Sequence, residues 1–504
     1  MTWKPRSLHR LAPLMGLASL TVACVQPSVE APDPPGQHSA AAAQPPAPVA
    51  DSTAAAPAPT SIDPRRSLAV TEQVILARFP LRRVLDQLVA QSDVPGLTAL
   101  GLFQQWWDTQ NPGPGLGLGP HCDDQRDAAG NPCLNGFPYS CRPAPGEGAQ
   151  ASVDPFTDPG QNPNEYVAIG LFNRFDLAPA DGSHCGEYRI VYARRAGIDN
   201  PRARNLVIIE AALANPHPQQ GLKGCRKIVD FWVDLGDVPD PEARADLLED
   251  FYFDGLPSVA PVIHIDHLGA GPSGAGQVRS NQFMADGVPG QVWSLREFKL
   301  RRTCSGNTCT AMQLVPVPVR NTLFGGLLGD DPQPQLAAFR AAFLDAVPDL
   351  AGATLADLGL DLAEPFTTAQ SQASASGENN YVVQFQSAPP DFHAAIAARL
   401  AALGSTLTPE DLVERAQFLS CAGCHRLSAG HALGGGVIAP SALGFVHVSE
   451  RDTEVVGEGT RFRISDALVN DFLPTRSQVL RDYLADKLKP PRHPKDPIGG
   501  RRVH

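Results

Sequence analysis

Apolar residues recur along this chain at two spacings, helical and alternating, and residues 25–66 show neither. Over 81–94 and 97–107 the apolar positions, Leu85, Leu88 and Val89 among them, keep a helical period and predict two helices. Eight later runs alternate or are rich in β-branched residues, and turn residues separate them. They are 166–172, 188–193, 206–213, 228–235, 259–265, 276–283, 292–300 and 311–319, and each predicts a strand. Helices are predicted over 241–252 and 334–347, and 381–385 reads as a last strand. The pattern has no internal repeat. It describes an α+β fold: a large, mainly antiparallel β domain with interspersed helices over 67–400, long enough for one large domain or two smaller ones. Within it, 112–164 is rich in Gly, Pro, Asn and Asp, and reads as a loop pinned by disulfide bonding among Cys122, Cys133 and Cys141.

A second, helical pattern occupies 405–489. Thr408 is a helix cap, Pro409 suits the first helical position, and Asp411 completes a capping box. Leu412, Val413, Ala416 and Leu419 form one apolar face, and the helix ends at Cys421. A last helix starts near Thr475, carries Leu480, Leu484 and Leu488 on one face, and stops at Pro490-Pro491.

The end of the first of these helices holds the most specific chemistry in the chain. Cys421-Ala422-Gly423-Cys424-His425 spells C-x-x-C-H. Two thiols at this spacing can be alkylated by the two vinyl groups of one haem, with the next imidazole as the proximal iron ligand. Two other readings use the same residues. One is a local Cys421–Cys424 disulfide with His425 as a bystander. The other is half of a zinc site, but the chain has no second CxxC to complete it.

The 405–489 segment resembles a small monohaem cytochrome c domain, about a sixth of the chain. In that family a helix ending in CxxCH packs against a C-terminal helix, with a Gly-Pro-x-Leu-like turn between them. Residues 434–444 are similar, with Ala439 in place of the usual Gly before Pro440. The resemblance implies an all-α module holding one haem c. It also implies that the Pro440 carbonyl accepts from His425 Nδ1, leaving Nε2 for iron. The departure is the sixth ligand. The four methionines are Met1, Met15, Met284 and Met312, so none follows the CxxCH. The sixth position then falls to His447 or His431, to Met284 or Met312 from the large domain, or stays open to a small ligand. His447 is favoured because more chain separates it from His425. His/His ligation lowers the potential relative to His/Met.

Thioether attachment takes place outside the bacterial cytoplasm, so an export signal is expected. Lys4, Arg6 and Arg10 precede an apolar stretch at 11–22, too short to span a bilayer. Leu20-Thr21-Val22-Ala23-Cys24 resembles a lipobox, with Thr21 where the pattern prefers Leu. The organisation read from this is a signal peptide at 1–23, lipidated Cys24, and a Pro/Ala-rich tether over 24–66. Localisation follows as the cell envelope, periplasm or outer membrane, with membrane contact only through the anchor. Loss of 1–23 moves the net charge from −12 to −15, which disfavours nucleic acid. The basic tail, 490–504, reads as solvated. Cysteine usage suits an oxidising compartment. Cys304 with Cys309 is the simplest pair, Cys185 with Cys225 the next, and one thiol among Cys122, Cys133 and Cys141 is left over.

Other constellations read as structure. His264 and Asp266 share a strand face as weak metal candidates, and Cys185 beside His184 suits a disulfide better than a nucleophile. Asn173-Arg174-Phe175-Asp176 reads as a turn pair, and Trp106, Trp107 and Trp232 as core. No hydrolase, zincin, phosphate-loop or dinucleotide motif is present. The sequence therefore points to an exported haem protein that transfers electrons to or from a partner protein. The alternative is a non-catalytic envelope lipoprotein whose CxxC is a disulfide.

Overall fold

The computed structural model describes residues 61–142, 147–284, 292–374, 377–457, 459–489, 491 and 493–500. The proposed signal peptide, Cys24 and most of the tether lie outside these. The fold is mixed, built on an eight-stranded antiparallel sheet flanked by helices.

The strands are β1 (Ala69–Val70), β2 (Tyr166–Arg174), β3 (His184–Arg194), β4 (Ala203–Ala214), β5 (Gln277–Met284), β6 (Ser294–Ser305), β7 (Thr308–Val317) and β8 (Ser371–Gln372). They pair in the order β1-β2-β3-β4-β5-β6, after which β7 and β8 share the far edge of β6. The side-chain period of two gives each face its own set of residues. Tyr188 points to one face and stacks on Trp232 and Phe251. The opposite face carries Phe172, Arg189, Val191, Leu206, Ile208, Glu210, Arg279, Asn281 and Leu295. Register aligns these residues: Ile208 pairs with both Val191 and Arg279, and Leu206 with Asn281. Both faces are buried, so the central strands read as nearly continuous apolar runs.

The α-helices of five or more residues are α1 (Leu81–Ala90), α2 (Ala99–Asp108), α3 (Arg226–Gly236), α4 (Pro241–Phe253), α5 (Leu336–Leu350), α6 (Tyr381–Phe385), α7 (Pro390–Ala402), α8 (Pro409–Phe418) and α9 (Leu473–Leu484). Three expected strands are not strands. Residues 228–235 form α3, because Ile228, Val229, Trp232 and Val233 are buried together on one helical stripe. Residues 381–385 form α6, where the Asn380 side chain caps by accepting from Val383 N. Residues 259–265 form a loop entering a short 3₁₀ turn at Ile265–His267; Pro261 removes a ladder donor there. His264 Nδ1 accepts from Asp266 N, so this pair shapes the turn.

The expected disulfides Cys304–Cys309 and Cys185–Cys225 both form, and Cys122 pairs with Cys141. Cys133 is disulfide-bonded as well, so the leftover thiol expected in that loop is not there.

The C-terminal segment departs from an all-α module. Between the CxxCH and α9 it inserts an antiparallel hairpin, β9 (Val448–Val456) and β10 (Gly459–Ile464). Helix α8 packs on α5, α6 and α7, while α9 packs on the 3₁₀ turn Phe175–Leu177, with Tyr483 edge-on to Phe175. The helix-on-helix contact implied by the cytochrome c resemblance is therefore not what seats these helices. Leu412, Val413, Leu468 and Leu480 belong to the same buried apolar cluster as the sheet. The tail also departs from expectation. Residues 493–500 lie along 176–181, with Asp181 N donating to Pro494 O at 2.7 Å and Gly499 N to Asp176 O at 2.8 Å.

Helix α8 has the reciprocal capping box: Asp411 N donates to Thr408 Oγ1 at 3.0 Å, and Thr408 N to Asp411 Oδ2 at 2.9 Å. Thr408→Ala should cost about 1 kcal/mol, read as a lowered urea midpoint. An unchanged midpoint would contradict this role.

Candidate haem site

Helix α8 runs into Ser420 and Cys421, and the backbone then widens into a π-helical turn at Gly423–Leu427. Gly423 is required there, because a Cβ would sit 1.7 Å from the Gln417 carbonyl oxygen. The large sheet region receives this turn. Ala422 N donates to Ser371 Oγ at 3.0 Å and Cys421 N to Thr322 Oγ1 at 3.4 Å. Arg415, buried on α8, donates to the carbonyls of Leu350, Gly352, Leu433 and Gly434, tying the glycine-rich loop to the helix.

Cys421 and Cys424 are the free cysteines among the described residues, and both are fully buried. They are not joined to each other. Every other described cysteine is oxidised. Burial pushes both thiols above their ordinary value, so both stay protonated at neutral pH. Cys421 packs against Trp293, Leu295 and Val319. Cys424 Sγ lies 3.4 Å from His447 Nε2.

His425 Nδ1 donates to the Phe445 carbonyl at 2.8 Å, not to that of Pro440 as the resemblance implied. The reason lies in the backbone: Gly444 and Phe445 both take positive φ, +62° and +72°, which turns the Phe445 carbonyl toward the imidazole. This bond makes Nε2 the nitrogen with the lone pair. The His447 ring stands 4.7 Å from the His425 ring, centre to centre, and its Nδ1 is 2.8 Å from Ser465 Oγ. The β9–β10 hairpin makes that contact, since Val448 pairs with Ile464 across its base. His431 is elsewhere: exposed, 3.3 Å from Glu414. Met312 is buried in the core on β7, and the Met284 side chain is outside the described residues. Of the proposed sixth ligands whose side chains are described, His447 alone is brought beside His425.

His425 and His447 line a cavity of about 90 Å³ between the sheet and the C-terminal segment. That is smaller than the roughly 300–1,000 Å³ of a typical cofactor site, so the walls must part to admit one. The sheet supplies Phe172, Val191, Leu206 and Ile208; the C-terminal segment supplies Val446, Val448, Leu468 and Phe472. Four arginines also line it. Arg174 and Arg476 face Asp176, Arg174 through a two-pronged pair. Arg189 and Arg279 meet on Glu210, at 3.2 and 3.4 Å, and reach Glu187 and Glu297 at 2.6 and 2.9 Å. The turn read from Asn173 to Asp176 is thus part of the cavity wall. Of the residues that sequence reasoning missed, the charges at alternate positions in apolar strands, such as Arg189, Glu210 and Arg279, were the visible signal. Phe445 and Trp293 gave none.

No protein-family model, curated protein or solved structure matches this chain. The donor set at Cys421–His425 suits a c-type haem: two unpaired thiols at the attachment spacing and an imidazole whose Nδ1 is fixed by a carbonyl. The zinc reading gains nothing. Among the described residues the one cluster tight enough for a metal is Cys122, Asp123 and Cys141, whose two sulfurs are already bonded to each other. No helix among the described residues is long and apolar enough to cross a membrane.

Burial pushes His425 down to about 4 and His447 well below the ordinary histidine value. His267, buried behind the sheet, is also lowered to about 4. These rings are neutral in the fold but take up protons when unfolded below about pH 6.5. The unfolded chain then binds more protons, so stability should fall as pH drops from about 6.5 to 4. Urea midpoints across that range check it; a midpoint that rises on acidification would contradict neutral histidines.

Proposed function

We propose that this chain carries one covalently attached c-type haem and works as an electron carrier of the cell envelope. Cys421 and Cys424 are the thioether anchors, His425 the proximal ligand through Nε2, and His447 the second axial ligand. The carrying observation is that, among the described cysteines, only the two of the CxxCH are unpaired, beside a cavity lined by His425 and His447. A haem held there supplies a one-electron iron couple. The chain's own residues do the rest. Phe445 holds the tautomer and orientation of His425, and Ser465 those of His447. The apolar walls exclude water, and the buried arginines are held by Asp176, Glu187, Glu210 and Glu297. Attachment requires both sulfurs to turn toward the cavity, which neither lines. It also requires the two imidazoles to part, since rings sharing one metal at about 2 Å per bond stand roughly 6 Å apart.

The redox partner is an unidentified protein, and nucleic acid is not a partner. The test is a haem stain on a denaturing gel of protein exported by a host with attachment machinery, followed by its spectrum. Stained protein without a far-red sulfur-to-iron band supports the His425/His447 assignment; unstained protein contradicts the proposal. Reduced protein that binds CO would replace His447 by an open site and favour a redox enzyme.

A further inference from the structure

We infer that Asn281, on β5, sets the electron-donating strength of His425 through the Phe445 carbonyl. The redox consequence rests on the haem reading above; the hydrogen-bond relation does not. Three hydrogen bonds form one chain. Trp293 Nε1 donates to Asn281 Oδ1 at 2.5 Å, Asn281 Nδ2 donates to Phe445 O at 3.1 Å, and His425 Nδ1 donates to the same oxygen at 2.8 Å. The indole N–H is a donor only, so it fixes the amide with its oxygen toward Trp293 and its nitrogen toward the carbonyl. The orientation of Asn281 is therefore not arbitrary.

The rest of the surroundings hold the acceptor still. Phe445 is a non-glycine residue at φ +72°, a conformation that persists only when its surroundings over-determine it. Its ring lies between Trp293, 5.8 Å away, and the Arg426 guanidinium, 5.6 Å away. The preceding carbonyl, of Gly444, accepts from Arg204 on β4, which is itself ion-paired with Glu450 at 2.5 Å. Two strands of the large sheet thus grip the two residues that orient the imidazole.

A carbonyl oxygen that serves two donors gives less to each. With Asn281 in place, the His425 Nδ1–H bond is weaker than it would be alone, the imidazole is less anionic, and Nε2 is a poorer donor to a metal. Ligand basicity and hydrogen bonding around a haem are levers on its potential. Asn281 is in this sense a positioning and tuning residue, acting through Phe445.

The test uses Asn281→Leu and Trp293→Phe in the full chain. In protein prepared without haem, Asn281→Leu should move the His425 Nδ1 proton resonance downfield, as its bond to Phe445 strengthens. In haem-loaded protein it should shift the iron equilibrium toward the oxidised form by up to about tenfold, 59 mV for one electron. Trp293→Phe keeps the Asn281 amide on Phe445 and should shift the equilibrium much less. If Asn281→Leu does not fold, Asn281→Asp keeps the acceptor for Trp293, loses the donor to Phe445, and should show the same downfield move. An unmoved resonance in whichever variant folds, or a Trp293→Phe shift as large as that of Asn281→Leu, overturns the inference. Failure to attach haem at all would sink the functional proposal instead, and the resonance would still report on Asn281.

Discussion

Replacing Cys421 and Cys424 together by alanine should abolish covalent haem completely, leaving a protein that does not stain on a denaturing gel. Each single replacement should leave at most one thioether. Both sulfurs are buried and unpaired, so neither substitution breaks a disulfide. Removing one sulfur and its hydrogen from each packed site should cost no more than about 1–2 kcal/mol. The double variant should therefore fold, and the loss of haem should not be a loss of structure. Staining retained by the double variant would mean that the haem is attached elsewhere. A urea midpoint lowered far beyond that range would mean that the two sulfurs act structurally, as a disulfide would.

The second large effect concerns the wall between the sheet and the cavity. Glu210 is buried and accepts from Gln277 Nε2 at 2.6 Å while facing the guanidinium groups of Arg189 and Arg279. Glu210→Ala leaves two buried cations short of a partner. Breaking such a network by removing one side costs about 3–5 kcal/mol, and the urea midpoint should fall accordingly. Glu210→Gln keeps an acceptor but loses the charge, and should cost less than alanine. Neighbouring Glu187, beside Arg189 and Arg320, is held far below the ordinary carboxylate range against its own burial. Its stabilising contribution is present above the unfolded value of about 4.3 and is lost as pH falls toward the folded one. A cost below about 1 kcal/mol for Glu210→Ala would show that Glu187 and Glu297 satisfy the arginines by themselves.

How legible the molecule was in its sequence depended on the scale of the physics involved. Alternation over six or more residues marked β2, β3, β4, β5, β6 and β7, because strand period and burial agree there. The run Ile228–Leu235 failed because it is short and apolar at both periods, and only its packing under Tyr188 decides for a helix. The capping box at Thr408 is a local device and was readable in full. The cysteine pairs 185–225 and 304–309 could be read from spacing and flanking strands. What the sequence did not carry was long-range. The Phe445 carbonyl replaces that of Pro440 because the backbone turns at Gly444, and nothing in the local pattern forecasts that. Nor does the pattern show that the sheet, through Asn281, Arg189 and Arg279, walls the chamber that His425 and His447 face. Residues of the 67–400 region form half of the candidate site, which their apolar pattern does not indicate.

One measurement bears on all of this: the mass of the Cys421–His425 peptide, taken from protein exported by a haem-attaching host. The account predicts a gain of one haem on that peptide. An unmodified mass two hydrogens light, with Cys421 and Cys424 oxidised to each other, would contradict it.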